Sequence, residues 1–238
     1  MADGSRTYLE RRGWLENYFD RTAADAWAKL TSDGPVSRIR ATVRAGRDRM
    51  RETLLASLPA DLSGQRLLDA GCGTGALSVE AAKRGAQVVA IDLSPTLVDL
   101  ARERTDELIG AGKVSYRVGD MLDPSLGEFD HVVAMDSFIH YDAADLQGIL
   151  ESLAPRCRRT LSFTFAPRTF LLSLMHTAGK VFPRGNRAPR IVPISERGLR
   201  RRIGASAGFA HWSVADTTRI KSGFYISQSM TLRREEGA

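Results

Sequence analysis

A glycine-rich turn is the strongest chemical signal in the chain. The segment LLDAGCGTGALS at 67–78 reads as a buried strand that runs directly into Gly71, Gly73 and Gly75 and then into a helix. Glycine suits such a turn because it accepts positive φ angles and lets the backbone approach a ligand closely. Together with Ala76, the spacing also satisfies the dinucleotide pattern G-x-G-x-x-G/A, so the turn alone does not identify the cofactor.

Carboxylates at the ends of three predicted strands narrow the choice of cofactor. Asp69 precedes the first glycine, where it could hold a cationic amine but would repel a pyrophosphate. Asp92 ends the next strand at a spacing suited to a ribose diol, and Asp120 could accept a hydrogen bond from an adenine amino group. The apolar residues assigned to the same nucleoside site are Leu93, Met121 and Leu122. A ligand with an amine, a ribose and an adenine but no phosphate is S-adenosylmethionine. The alternative is that Asp69 and Asp92 are helix caps or surface charges.

Apolar runs of strand length alternate with helical patterns between residues 61 and 166, which predicts parallel strands joined by helices. The strand-like runs are QRLLDAG (65–71), AQVVAID (86–92), KVSYRVGD (113–120), FDHVVAMDS (129–137) and TLSFTFA (160–166). Near the C-terminus, HWSVADTTRI and FYISQSMTLRR predict a hairpin with Gly223 between them. We therefore predict an α/β fold with a doubly wound seven-stranded sheet, mostly parallel with an antiparallel last strand.

This arrangement resembles the class I methyltransferase family, which has a Rossmann-like fold, over about residues 65–141. The resemblance implies that Met135 and Asp136, just past the fourth strand, flank the methionine part of the cofactor. It also implies an N-terminal arginine that meets the cofactor carboxylate, for which Arg47 is the candidate. Other arginines that could serve instead are Arg38, Arg40 and Arg44.

Two segments are added to the methyltransferase fold: one precedes it and the other follows its fifth strand. Helical patterns without a strand signal predict an N-terminal helical arm over 1–58, followed by a methyltransferase domain over 59–238. An insertion at about 167–194, after the fifth strand, predicts a lid. We expect the arm and the lid to close over the cofactor.

Charge, cysteine content and hydropathy limit the ligands, metal sites and cellular locations that the sequence can support. The chain of 238 residues carries a net charge of +6, and its basic residues cluster at 156–204, where Glu196 is the only acid. Such a block attracts acidic ligands, phosphates or anionic lipid, or is simply a solvated face. Cys72 and Cys157 are far apart without metal-like histidine spacing, so we expect reduced thiols and no metal site. The start lacks a signal-peptide pattern and no run reaches the roughly 18 apolar residues of a membrane span, which predicts a cytoplasmic protein.

The segment DSFIHY after the fourth strand indicates the type of acceptor. It contains His140 and Tyr141 in place of the Asn/Asp-Pro-Pro-aromatic signature of amine methylation, which favours an oxygen acceptor. His140 is the catalytic candidate, either as a base or as a hydrogen-bond donor that orients the acceptor; the alternative is a cap for the next helix. Stacking aromatics and the amine signature are missing, so no nucleic-acid partner is expected.

Three segments, YFDRTAADAWAKLTSD, DSFIHY and SFTFAPRTFLLSLMHTAGKVFPRGNRAP, resemble the magnesium protoporphyrin IX methyltransferase family of bacteriochlorophyll and chlorophyll synthesis. The resemblance covers most of the chain and implies esterification of one propionate of magnesium protoporphyrin IX to its monomethyl ester. It further implies handover from the large subunit of magnesium chelatase and loose attachment to the photosynthetic membrane. Other members have a tyrosine after the family tryptophan; here Thr31 or Tyr18 would supply that hydroxyl.

The lid segment RTFLLSLMHTAGKVF is too short to span a membrane, and we expect it to cover the porphyrin. The residues assigned to the substrate are Tyr141, Arg168, Phe170, Leu174 and His176. His176 could be an axial ligand of the substrate magnesium or could pack on the polar edge of the lid. Two alternatives stay open: methylation of another hydrophobic carboxylate or a quinone, and a non-catalytic regulator that binds S-adenosylmethionine.

Overall fold

The computed structural model describes residues 2–18, 20, 37–105, 112–168 and 191–235. Seven strands form its sheet: β1 (Arg66–Ala70), β2 (Gln87–Asp92), β3 (Lys113–Val118), β4 (Phe129–Ala134), β5 (Cys157–Phe165), β6 (Trp212–Ser222) and β7 (Tyr225–Arg234). Their order is β3-β2-β1-β4-β5-β7-β6. Strands β1 to β5 pair in parallel, and β7 runs antiparallel to both β5 and β6. The predicted seven-stranded sheet with an antiparallel last strand is confirmed.

Six helices of the described ranges flank this sheet: α1 (Ala2–Tyr18), α2 (Arg38–Ala56), α3 (Ala76–Lys83), α4 (Pro95–Thr105), α5 (Ala143–Leu153) and α6 (Glu196–Ala205). Polar side chains cap several of their first turns. Asp142 accepts from the amides of Ala144 and Asp145 at the start of α5, and Ser195 accepts from Gly198 at the start of α6. Of the predicted N-terminal helical segments, AADAWAKL lies outside the described residues.

The core lies on both faces of the sheet, because adjacent residues of a strand point to opposite sides. Leu68 joins a cluster that includes Tyr8 and Leu15 of α1, whereas Leu67 joins a cluster that includes Met50 of α2. Both leucines are fully buried, as expected for a central parallel strand covered by helices. The two N-terminal helices therefore contribute side chains to different clusters of the core. Both cysteines are free, as predicted, and both are buried.

The C-terminal hairpin reaches across to α2. Gly223 connects β6 to β7 with a φ of 57°, and a Cβ there would collide with Oγ1 of Thr42 on α2. Ser222 Oγ also donates to the Thr42 carbonyl at 2.7 Å. None of the helices in the described ranges has both the length and the hydropathy of a membrane span.

Candidate active site

A cavity of about 690 Å³ opens at the carboxyl ends of the parallel strands. It brings together most of the residues predicted from sequence: Arg47, Asp69, Gly71, Gly73, Asp92, Leu93, Asp120, Met121, Met135, Asp136, His140 and Tyr141. Gly75 is the N-cap residue of α3, at the end of the glycine-rich turn. Apart from Arg47 of α2, these residues lie at or just beyond the carboxyl ends of strands β1 to β4, so the topology of the sheet brings them together.

The glycine-rich turn has the backbone geometry that its residue types predict. Gly71, Gly73 and Gly75 have φ values of 83°, 54° and 79°, a region that strongly favours glycine. A Cβ on Gly71 would collide with the side chain of Ser137, which follows β4. The Gly73 amide donates to Oδ2 of Asp92 at 2.8 Å, so the end of β2 holds the turn in place.

Asp69 is a buried carboxylate with an unusual proton affinity. Asp69 is 1% exposed, and Ser78 Oγ donates a hydrogen bond to its Oδ2 at 2.6 Å. Burial raises the pKa of Asp69 to about 7, and the nearby Asp92 carboxylate acts in the same direction, while the Ser78 hydrogen bond opposes both. A cationic ligand would favour the ionised carboxylate, so Asp69 fits the ammonium group of S-adenosylmethionine.

Asp92 uses each of its two oxygens to accept one backbone amide. Gly73 donates to Oδ2, and Ser94 donates to Oδ1 at 3.0 Å. Burial raises the pKa of this carboxyl group, and the backbone hydrogen bonds counteract the effect. Since each carboxylate oxygen has two lone pairs, Asp92 keeps acceptor capacity for a ribose diol.

Asp120 contacts α1, which the sequence analysis did not predict. Tyr8 donates its hydroxyl to Oδ1 at 2.6 Å, and Arg12 Nη1 donates to Oδ2 at 2.8 Å. The ring of Tyr8 stacks on Tyr141 with centroids 5.6 Å apart and an interplanar angle of 21°. The N-terminal helix therefore lies across the predicted adenine end of the cavity.

His140 ends a 3₁₀ turn, Phe138–His140, and is 7% exposed. Arg11 Nη1 donates to its backbone carbonyl at 2.5 Å, and Val192 donates its amide to the carbonyl of Ile139 at 2.9 Å. The turn is thus held by α1 and by the chain that returns after residue 190. Burial raises the pKa of the adjacent Tyr141, so its phenol is protonated at neutral pH.

Arg47 of α2 reaches the cavity and donates from Nη1 to Oδ2 of Asp136 at 2.6 Å. Of the other candidate arginines, Arg44 also lines the cavity, whereas Arg38 and Arg40 are exposed. Asp136 has a φ of 57° in a polar network that extends to β5 and β7.

The remaining predicted site residues lie elsewhere. Arg168 is exposed, and its amide donates to the Ile194 carbonyl at 2.9 Å. Tyr18 stacks on Trp14, with centroids 5.8 Å apart, and lies outside the cavity lining. The predictions for Thr31, Phe170, Leu174 and His176 fall outside the described residues.

The N-terminal arm was expected to close over the cofactor, but the residues of α1 that contact the site were not predicted from sequence. Tyr8, Arg12 and Leu15 follow one another at helical spacing and share one face of α1. Tyr8 and Leu15 are 9% and 4% exposed, and both line the cavity. Their i, i+4, i+7 pattern was the available signal, but it does not say which surface the helix contacts.

Comparison with known proteins adds independent information. The family described as "Methyltransferase domain" matches residues 67–160, and the family described as "Magnesium-protoporphyrin IX methyltransferase C-terminus" matches residues 134–234. Magnesium-protoporphyrin O-methyltransferase of Rhodobacter capsulatus is 48% identical over 227 residues, which cover 95% of this chain and 98% of that protein. Ubiquinone biosynthesis O-methyltransferase of Xanthomonas oryzae is 33% identical over 189 residues, 76% of each chain.

A solved structure is similar over almost its full length. The crystal structure of magnesium protoporphyrin IX methyltransferase from Synechocystis PCC 6803 with bound SAH matches with a TM-score of 0.79 and 28% identity. The match covers 94% of this chain and 99% of that one. The crystal structure with bound SAM gives a TM-score of 0.76 at 26% identity.

Proposed function

The chain belongs to the magnesium-protoporphyrin O-methyltransferase family, and we propose that it esterifies one propionate carboxylate of magnesium protoporphyrin IX with the methyl group of S-adenosylmethionine. The observation that carries the proposal is one cavity that combines three strand-end carboxylates with a buried histidine. Three carboxylates suit the ammonium, ribose and adenine groups of this cofactor. Asp69, beside the glycine-rich turn, would repel the pyrophosphate of a dinucleotide.

Methyl transfer to a carboxylate requires alignment of the methyl group with the acceptor oxygen more than it requires proton transfer. S-adenosylmethionine, when bound, supplies a methyl group attached to a positively charged sulfur. The propionate oxygen forms a bond to the methyl carbon while the carbon–sulfur bond breaks and leaves its electron pair on sulfur, giving a methyl ester and S-adenosylhomocysteine. A carboxylic acid with a pKa of about 4 is already ionised at neutral pH, so no base has to remove a proton. The protein therefore has to bind, orient and dehydrate the reacting groups.

The residues of the cavity divide these tasks. We assign Asp69 to the cofactor ammonium, Asp92 to the ribose hydroxyls, and Asp120 with Met121 to the adenine. His140 lines the same cavity and is largely buried, so it is placed to donate a hydrogen bond that orients the acceptor carboxylate. This role fits an acceptor that needs no base.

The predicted lid begins and ends close to His140, which supports an acceptor site on that side. Pro167 and Ile194 form a parallel β-bridge, and Val192 bonds to Ile139 in the turn that carries His140. A segment anchored at both ends beside the catalytic turn could cover an apolar macrocycle. Arg168, exposed at the start of this segment, could receive a propionate in a charge-assisted hydrogen bond. The roles of Phe170, Leu174, His176, Thr31 and Tyr18 stay predictions.

Contact with an anionic membrane surface is a further part of the proposal. Two apolar residues, Ile39 and Phe224, are 58% and 67% exposed. Thr42 lies between their segments: its Oγ1 donates to the Ile39 carbonyl and lies against Gly223, the neighbour of Phe224. Exposed basic residues accompany them: Arg38, Arg40 and Lys221. Apolar side chains among cations suit anionic lipid. Less co-sedimentation of Phe224→Ser than of wild type with anionic vesicles would support this contact, and equal co-sedimentation would contradict it.

Handover from the large subunit of magnesium chelatase is proposed from the family relationship. A macrocycle with a large apolar surface is poorly soluble in water, so direct transfer between proteins would avoid its release. Faster turnover on porphyrin preloaded on that subunit than on free porphyrin is the expected result. Slower turnover would count against handover.

Formation of S-adenosylhomocysteine by the purified protein tests the main proposal. Magnesium protoporphyrin IX should support turnover, and its dimethyl ester, in which both carboxylates are blocked, should not. Turnover with a hydroxylated quinone but not with the porphyrin would favour the quinone alternative. Cofactor binding without turnover on either acceptor would favour the non-catalytic regulator.

A further inference from the structure

Asp136 has a backbone conformation that needs an explanation. It follows β4 and is the only residue other than glycine with a positive φ among those the structure describes, at 57°. Aspartate tolerates this region better than most residues, yet the conformation still costs free energy and persists only where the surrounding contacts enforce it. Its side chain is 4% exposed, so these contacts are internal.

The Asp136 carboxylate accepts hydrogen bonds from four side chains. Arg47 Nη1 donates to Oδ2 at 2.6 Å, and the Tyr225 hydroxyl donates to Oδ1 at 3.0 Å. Ser227 Oγ and Thr164 Oγ1 each donate to Oδ1 at 3.3 Å. An ionised carboxylate has about four lone-pair sites, so these partners use its acceptor capacity. Asp136 therefore has little left to offer the ammonium group of a cofactor.

The same network fixes Arg47 at the cavity wall. Arg47 lines the cavity, and its side chain is 17% exposed. A guanidinium has five donors in a rigid fork, so anchoring one nitrogen on a buried carboxylate sets the plane of the others. An arginine that is already ordered loses less side-chain entropy when it binds an anion.

Tyr225 supports the network from the C-terminal hairpin. Burial raises the pKa of its phenol, so it remains a hydrogen-bond donor at neutral pH. Its ring lies against α2 beside Arg47: a Cβ on Gly46 would come within 2.6 Å of Tyr225 Cδ1. The glycine at 46 thus permits the close approach that brings the phenol to Asp136.

We propose that Asp136 and Tyr225 are positioning residues, which hold Arg47 so that it binds the carboxylate of the methionine part of the cofactor. Asp69 would then take the ammonium group and Arg47 the carboxylate of the same amino-acid moiety. This assignment rests on the proposed function for the identity of the ligand, and it replaces the direct cofactor contact predicted for Asp136 from sequence.

Calorimetric titration with two ligands tests the assignment. S-adenosylhomocysteine carries the amino-acid group, whereas 5′-methylthioadenosine has the same nucleoside and thioether without it. Asp136→Asn should weaken S-adenosylhomocysteine by about tenfold, which is about 1.4 kcal/mol, and leave methylthioadenosine unchanged. Arg47→Gln should show the same selective loss, and the double variant should bind no more weakly than Arg47→Gln alone, because both act through one contact.

Two further variants keep the test decisive. Tyr225→Phe should lower S-adenosylhomocysteine affinity in the same selective way and decides the matter if Asp136→Asn does not fold. Tyr116→Phe is a matched control, since its phenol bonds to Thr105 at 2.6 Å outside this network and should cause no selective loss. Equal weakening of both ligands in the Asp136 and Tyr225 variants, or unchanged S-adenosylhomocysteine binding, would overturn the proposal. Porphyrin is absent from these titrations, so failure of methylation would not be mistaken for failure of this inference.

Discussion

The raised pKa of Asp69 predicts that cofactor affinity depends on pH. With a pKa of about 7, the Asp69 carboxyl group is mostly protonated at pH 6 and mostly ionised at pH 8. The ionised fraction rises from about one tenth to about nine tenths across this range, and only that form pairs with an ammonium group. The affinity for S-adenosylhomocysteine should therefore increase about tenfold from pH 6 to pH 8, or about 1.4 kcal/mol in binding free energy. The ammonium group of S-adenosylhomocysteine, flanked by a carboxylate, stays charged between pH 6 and pH 8.

Calorimetric titration at pH 6, 7 and 8 and constant ionic strength measures this dependence. Asp69→Asn keeps the shape of the side chain but cannot ionise, so it should bind more weakly and lose most of the pH slope. Any slope that the variant retains reports other groups, Asp92 among them, whose pKa is also raised by burial. A flat wild-type profile, or an equal slope in wild type and variant, would refute the reasoning.

The same carboxyl group should affect the stability of the unliganded protein. Its pKa is raised in the folded state, so between about pH 4 and pH 7 the folded protein holds a proton that the unfolded chain has lost. The contribution of Asp69 to the free energy of unfolding therefore falls as pH rises through this window. Asp69→Asn should show a higher unfolding midpoint than wild type at pH 8, and a smaller difference at pH 5.

Three substitutions test the rest of the site. His140→Ala should lower turnover by about a hundredfold, the cost of misaligning the acceptor, while S-adenosylhomocysteine affinity stays near wild type; undiminished turnover would remove His140 from the chemistry. Asp92→Ala should weaken cofactor binding by about 1.5–3 kcal/mol, the range for hydrogen bonds to charged groups, and an unchanged calorimetric affinity would contradict the ribose assignment. Gly71→Ala should lower both the melting temperature and cofactor affinity because its Cβ meets Ser137, whereas Gly204→Ala, with no atom within 4 Å of the new Cβ, should lower neither.

Local sequence patterns predicted the sheet and the cofactor turn because each depends on neighbouring residues. Buried strands such as β1 and β2 appear as short apolar runs, and the positive φ angles after β1 occur at glycines. The turn hydrogen bonds also join elements that are close in sequence: Gly73 and Asp92 are 19 residues apart. Fold class and cofactor type could therefore be predicted from residue types and their spacing.

Contacts between distant segments could not be predicted in the same way. Tyr8 and Asp120 are 112 residues apart, and the face of α1 that carries Tyr8 does not specify its partner. Asp136 was correctly placed beside the cavity, but its donors come from α2, β5 and β7, up to 91 residues away. Sequence position alone therefore could not predict the network that surrounds Asp136, and a direct cofactor contact of Asp136 stays a prediction.

The site of methyl transfer is the most direct test of the account. The protein should be incubated with magnesium protoporphyrin IX and S-adenosylmethionine labelled in the methyl group, and the porphyrin should then be isolated and hydrolysed in alkali. A carboxylate acceptor predicts label on the porphyrin that alkaline hydrolysis releases as methanol. Label that stays on the macrocycle after hydrolysis, or no label on the porphyrin despite bound cofactor, would contradict the account.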